Sequence, residues 1–271
     1  SGGVVSVNIN KASATITANS NTVTYNGMIQ SVSGFTATGL VNGETSSVLS
    51  GLSETGGNGI NAGTYSHSYG VGSYNGNYNL SFNDGSLTIN KAALSVTGAT
   101  TTVTYNGTVQ TNSEATITGR QGNDSFTVTG YASGTNAGSY TDHLSLSTLS
   151  GNGLSNYELS ITNGSLTITP ANLDIHALNV SGSKTYNGNA IFSASDLSLS
   201  GIITTDIGQV SLTGSATVSS PNVGTYSSWT TNDLSLTGSA STNYTLSGGV
   251  VSVTINKANA TVTANRDRKS T

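Results

Sequence analysis

The same module is written three times along this chain, and each copy carries tyrosines at matched places. Tyr-Asn-Gly recurs at Tyr25-Asn26-Gly27, Tyr105-Asn106-Gly107 and Tyr186-Asn187-Gly188. Gly-x-Tyr recurs around Tyr65, Tyr140 and Tyr226, and Asn-Tyr at Tyr78, Tyr157 and Tyr244. Nine of the 12 tyrosines therefore belong to the repeat. A residue placed once per module serves the module's fold before it serves any single active site.

The Tyr-Asn-Gly spacing is 105 − 25 = 80 and then 186 − 105 = 81 residues. The copies join at Ile89-Asn90-Lys91-Ala92, Ile168-Thr169-Pro170-Ala171 and Ile255-Asn256-Lys257-Ala258. Modules are thus expected at 12–91, 92–170 and 171–257. Ser1–Ala12 nearly duplicates Ser247–Ala258, so 1–11 reads as the tail of a preceding module and 258–271 as the start of a following one. About two residues separate strand-like segments at each junction, far fewer than a flexible linker contains. Pro170 fixes its own φ at one junction. A stiff rod is expected, on the order of 100 Å for three strand-lengths of about 33 Å each.

Composition narrows the class. Charged residues are only 7%, yet no apolar run reaches the ~20 residues of a spanning helix, and mean hydropathy is −0.11. The net charge of −4 and the recurring Val, Ile, Thr and Tyr argue for ordered β-structure over disorder. There is no cysteine, so neither a disulfide nor a metal-thiolate site is available. Eight Lys and Arg in total form no patch suited to nucleic acid. The run Arg266-Asp267-Arg268-Lys269 breaks the repeat style and carries no functional weight.

Period-two alternation at Ala14–Ala18, Leu87–Ile89, Val96-Thr97, Leu166–Ile168 and Val251–Ile255 predicts half-buried antiparallel strands. Asn83-Asp84-Gly85, Asn163-Gly164 and the three Asn-Gly pairs after tyrosine predict tight hairpins. One short helical turn per module at most is allowed, with Glu44, Asp124 or Asp206 as its cap or turn residue. The expected fold is all-β: a tandem array of small Ig-like or β-grasp-like sandwiches.

Candidate chemistry is sparse. The nine repeated tyrosines, Tyr25, Tyr65, Tyr78, Tyr105, Tyr140, Tyr157, Tyr186, Tyr226 and Tyr244, are expected to fill module cores and bond backbone groups at strand corners. Tyr69, Tyr131 and Trp229 stand apart from the repeated pattern and are the candidates for surface contact, with Trp229 equally readable as core; Tyr74 also lies outside it. His67, His143 and His176 lack the spacing of a zinc site, and no Asp-rich calcium loop is written. No paired carboxylates for glycoside hydrolysis, nucleophile elbow or phosphate loop is present. Neither an enzyme nor a cofactor is expected.

These signatures resemble the MBG-type and YDG-type repeats of very large bacterial surface proteins. The resemblance rests on Lys184–Gly188, Gly39–Thr45, Asn61–Tyr65 and Asn77-Tyr78 followed by Gly85–Ile89. Copies two and three depart at the second motif, reading Gly119–Asp124 and Gly201–Asp206. Such repeats typify filamentous-haemagglutinin-like adhesins exported by two-partner secretion. The resemblance implies an extracellular, cell-surface stalk supporting aggregation, biofilm or attachment, with neighbouring repeats as its partners. The alternative is a module binding exopolysaccharide or a host glycan; nucleic acid and membrane insertion are not expected.

Overall fold

The computed structural model describes residues 2–171, 180–246 and 250–263. His176 and Arg266-Asp267-Arg268-Lys269 lie outside them. The described chain is all-β, with open sheets, short 3₁₀ turns and no long helix. None of its helices is long and apolar enough to cross a membrane.

The first two repeats each fold as two lobes. In the first repeat, Ala12–Ala18 is the centre of one sheet, antiparallel to Phe35–Thr38 and parallel to Tyr78–Asn83. The chain then crosses to a second sheet ordered Asn21–Thr24, Gly85–Asn90, Gly63–Gly70, Ser53–Gly56. Here the strand before Tyr-Asn-Gly runs parallel to the last strand of the repeat, and the Gly-x-Tyr strand runs antiparallel to it. The second repeat rebuilds the first lobe from Ala92–Thr97, Thr116–Thr118 and Tyr157–Thr162, and the second from Thr100–Thr104, Ser165–Thr169 and Gly138–Thr141. In the third, Leu197–Leu199, Val180–Thr185, Val251–Asn256 and Gly224–Tyr226 form one sheet in that order.

Three expectations are corrected. The sheets that hold the repeated strands are mixed, not antiparallel, and the turn at Asn83-Asp84-Gly85 makes no hairpin. Tyr78–Asn83 and Gly85–Asn90 belong to different sheets, and Asp84 carries the chain between them. The same holds for Tyr157–Thr162 and Ser165–Thr169 on either side of Asn163-Gly164. At the first of these turns a side chain on Gly85 would sit 2.3 Å from the Asn19 carbonyl oxygen, because Ala18-Asn19-Ser20 makes the same crossing alongside. Helical turns also exceed one per repeat in the third copy, which carries Ala194–Asp196, Thr204–Asp206 and Ser241–Asn243. Of these, Ser241–Asn243 matches Leu154–Asn156 of the second copy, just before the Asn-Tyr tyrosine.

Among the described residues, two of the four core clusters lie at the joins of the repeats, and the other two lie within the first and the third repeat. Lys91 alone separates Gly85–Asn90 from Ala92–Thr97. One cluster unites Tyr25, Leu87 and Ile89 of the first repeat with Ala92, Leu94, Phe126 and Tyr157 of the second. A second unites Tyr105, Leu166 and Ile168 with Val210, Ala240 and Tyr244 of the third. Leu87 and Leu166 are fully buried, and burying each such side chain stabilises the fold by about 1.5–3 kcal/mol. Accordingly the chain divides by contact into two compact units that cut across the second repeat: Ser1–Gly98 with Ala115–Gly130 and His143–Asn163, and Ala99–Glu114 with Tyr131–Asp142 and Gly164–Thr271.

Candidate functional site: the tyrosine–carboxylate junctions

Alternation places Tyr25 at the end of Asn21–Thr24, where its amide donates to the Asn90 carbonyl and its ring enters the junction core. Its hydroxyl donates to Asp124 Oδ2 at 2.8 Å, and Tyr157 donates to the same oxygen at 2.7 Å. The other carboxylate oxygen accepts the Asn152 amide at 2.9 Å, and Asn152 Nδ2 donates to the Tyr25 hydroxyl at 3.2 Å. The Tyr25 and Tyr157 rings meet edge to face, centroids 5.4 Å apart. Asn156, 1% exposed, completes the join: its Oδ1 accepts the Ala62 amide at 2.8 Å and its Nδ2 donates to Asn61 Oδ1 at 3.0 Å.

The next junction repeats this set. Tyr105 and Tyr244 donate to Asp206 Oδ2 at 2.8 and 2.6 Å, and Asn243 bonds the Ala137 amide and Asn136 side chain at 2.8 and 3.2 Å. In the first lobe of the first repeat, Tyr78 donates to Glu44 and accepts the Val41 amide at 3.0 Å. Thus Asp124 and Asp206 are not helix caps. They are acceptors buried to 6% exposure, each serving two tyrosines from adjoining repeats. A buried carboxylate needs such partners to remain charged.

The electrostatics follow from these bonds. Burial pushes the Asp124 carboxyl up, but the Tyr157 hydroxyl, the Asn152 amide and the Tyr25 hydroxyl outweigh it and hold the group below its ordinary value. Burial, reinforced by the bond to Asp124, pushes the Tyr157 hydroxyl up to about 12. Burial also raises Tyr25, Tyr105 and Tyr244, each with its aspartate adding to the rise.

The remaining signature tyrosines divide in two. Tyr65, Tyr140 and Tyr226 donate to the backbone carbonyls of Asn61, Asn136 and Asn222 at 2.8, 2.8 and 2.7 Å, each four residues upstream. Tyr186 is 43% exposed. Of the three residues expected at the surface, Tyr69 packs edge to face on Phe35 and Trp229 on Phe192, in separate cores, while Tyr131 is half-buried.

One buried position changes chemistry between repeats. His67, fully buried, places Nδ1 2.7 Å from the Asn19 carbonyl and Nε2 2.8 Å from Glu54 Oε1. Both partners accept, so the arrangement favours the protonated ring, which has a donor on each nitrogen. The Asn19 bond raises the His67 pKa, opposed by burial and aided by Glu54; the His67 bond in turn lowers Glu54. Two residues after the next Gly-x-Tyr stands Asp142, also fully buried, accepting from Asn112 Nδ2 at 3.0 Å and from the Ala132 and Gly164 amides at 2.7 and 3.1 Å. Among the described residues no three His, Asp or Glu side chains gather as metal ligands.

The residues that recur are therefore those that hold one repeat to the next. The MBG domain (YGX type) matches residues 14–88, and the YDG domain matches 169–264. This chain is an MBG/YDG-type repeat region. The middle repeat, which lies between the two matches, keeps the strand pairing of the first repeat and the tyrosines of both neighbours. Repeats of this type are consistent with a surface protein. A comparison with curated protein sequences finds no match.

Sequence reasoning recognised the tyrosines and missed their acceptors. The pairs Tyr25–Asp124 and Tyr105–Asp206 are 99 and 101 residues apart, longer than the period. One carboxylate about 100 residues after each of the first two Tyr-Asn-Gly motifs was the available signal.

Proposed function

We propose that the chain is a structural spacer in an extracellular adhesin of a bacterial surface, holding other parts of that protein away from the cell, and that it is not an enzyme. The observation that carries this reading is the use of the recurring residues. Eight of the nine signature tyrosines spend their hydroxyls on bonds inside or between repeats. A spacer needs joins that resist bending and unravelling, and a core shared across each join supplies that resistance. Against glycan recognition weighs the engagement of Tyr69 and Trp229 in cores. Two-partner secretion is the export route this reading implies.

The test replaces these three repeats, in the cell-surface protein that carries them, with unrelated β-repeats of equal span. Attachment or aggregation that survives the exchange supports the spacer. Loss of attachment, together with saturable binding of the 271-residue chain to an exopolysaccharide or glycan panel, places recognition in the repeats instead.

A further inference from the structure

Two pairs of tyrosine rings meet across the joins, each pair over one carboxylate oxygen. Tyr25 and Tyr157 come from adjoining repeats, face each other edge to face with centroids 5.4 Å apart, and donate to Asp124 Oδ2 at 2.8 and 2.7 Å. Tyr105 and Tyr244 do the same over Asp206 Oδ2, with centroids 5.8 Å apart. Two hydroxyls on one acceptor oxygen draw the hydroxyl ends of both rings together. The ring carbons beside those hydroxyls are the positions at which oxidised phenols couple. Tyr65, Tyr140 and Tyr226 differ, because their hydroxyls donate to backbone carbonyls, which take up no proton near neutral pH.

A phenol gives up an electron more readily when a base takes its proton in the same step. A carboxylate within hydrogen-bond reach is such a base. Asp124, held below its ordinary value, is ionised and ready to accept. Electron and proton leave together, so no tyrosinate has to form in the core. The site is buried but not remote. Tyr25 is 1% exposed, yet Asn152, whose side chain donates to its hydroxyl at 3.2 Å, is an exposed residue. An oxidant at the surface is therefore one residue away from the phenol.

We propose that each junction is an oxidative cross-linking site, at which an external one-electron oxidant joins Tyr25 to Tyr157, and Tyr105 to Tyr244, as dityrosine. In the first junction one phenol passes its electron to the oxidant and its proton to Asp124 Oδ2. Asp124 releases that proton to water, and the second phenol repeats the step with a second equivalent of oxidant. The two phenoxyl radicals pair their electrons in a carbon–carbon bond between the ring positions beside the oxygens. The hydrogens on those two carbons then move to the oxygens through water, which restores both hydroxyls. In balance, two electrons have gone to the oxidant, two protons to water, and the chain has lost two hydrogen atoms. A chain without cysteine thereby gains a covalent staple across each join. The inference rests on the junction geometry and not on the spacer reading, so either can fail without the other.

The test is photo-oxidation of the folded 271-residue chain in dilute solution with ruthenium tris-bipyridine and persulfate, followed by trypsin digestion and mass spectrometry of the monomer fraction. Lys91, Arg120 and Lys184 place the two members of each pair in different tryptic peptides. The expected products are 12–91 joined to 121–184, and 92–120 joined to 185–257, each two hydrogen atoms lighter than its separate peptides and showing dityrosine fluorescence. Tyr25→Phe keeps the ring and is expected to abolish the first link while the second still forms. Tyr65→Phe, which removes a hydroxyl bonded to the Asn61 carbonyl, is expected to leave both links. Asp124→Asn is expected to slow the first link against the second by roughly a hundredfold, the scale of a positioned base. A folded chain that yields neither joined product, a first link that persists in Tyr25→Phe, or one that forms as fast in Asp124→Asn as in the parent overturns the proposal.

Discussion

At the scale of single residues, each junction depends on one carboxylate. Asp124 takes two tyrosine hydroxyls and one amide, so removing it strands three donors in a buried place. Tyr25→Phe should cost roughly 1.5–3 kcal/mol in equilibrium unfolding, the range for a bond to a charged acceptor. In a double-mutant cycle with Asp124→Asn the two losses should be strongly non-additive, since both remove one bond. Additive losses would mean that the contact carries no stability. Titration separates the groups further. The depressed Asp124 value contributes stability above pH 3.8, lost as pH falls through the folded value. The raised Tyr157 value contributes stability below pH 10, lost as pH rises toward about 12. Tyrosinate absorbance in the folded chain should therefore show a set of hydroxyls titrating above the exposed ones.

His67 yields a prediction of the opposite kind. Its folded pKa is raised above 6.5, so its contribution is complete below that pH and disappears as pH rises through the folded value. Glu54, lowered from 4.5, contributes above that pH and loses its part as pH falls. The pair thus stabilises most between about pH 4.5 and 6.5. His67→Gln should flatten the decline of stability above pH 6.5 seen in the parent chain. An unchanged alkaline slope in thermal melts would refute the imidazolium assignment.

Elements show what could and could not be read from the sequence. Alternation located Ala12–Ala18, Gly85–Asn90 and Val251–Asn256 because apolar burial imposes period two on one strand at a time. Pairing is set by which strand arrives alongside, and parallel neighbours some 66 residues apart leave no local mark. Asn83-Asp84-Gly85 resembles a hairpin turn yet joins two sheets, because its glycine answers a close approach to Asn19 and not the closure of a ladder. The tyrosines were legible as structural through recurrence alone; Asp124 and Asp206 were not, since nothing local pairs an acid with a ring one repeat away. The Tyr-Asn-Gly glycines allow a controlled comparison. Gly27, Gly107 and Gly188 share φ of 78°, 76° and 83°, so alanine strains the backbone alike at all three. Only the first two also press on the next repeat, Gly27 against the Gly122 backbone at 3.0 Å. Gly27→Ala should destabilise more than Gly188→Ala by about 1 kcal/mol or more, the cost of overpacking. Equal losses in chemical denaturation would show that the join tolerates displacement.

For the molecule as a whole, the period of the sequence and the unit of packing are out of step. The repeat is counted from Ala12 to Lys91, yet the core that buries Leu87 and Ile89 is closed by Leu94, Phe126 and Tyr157 of the following copy. A small domain without cysteines gains from such sharing, because an isolated lobe would leave one apolar face open. It also explains why Tyr25, Tyr105, Tyr157 and Tyr244 recur: their partner is the adjacent repeat. Cooperativity should then run across each join and not stop at the module boundary. Hydrogen exchange read by mass spectrometry on the parent chain and on Asp124→Ala tests this directly. The account predicts that protection falls together in Gly85–Asn90 and Ala92–Thr97, on both sides of Lys91. A loss confined to the second repeat, with Leu87–Ile89 as protected as before, would contradict it.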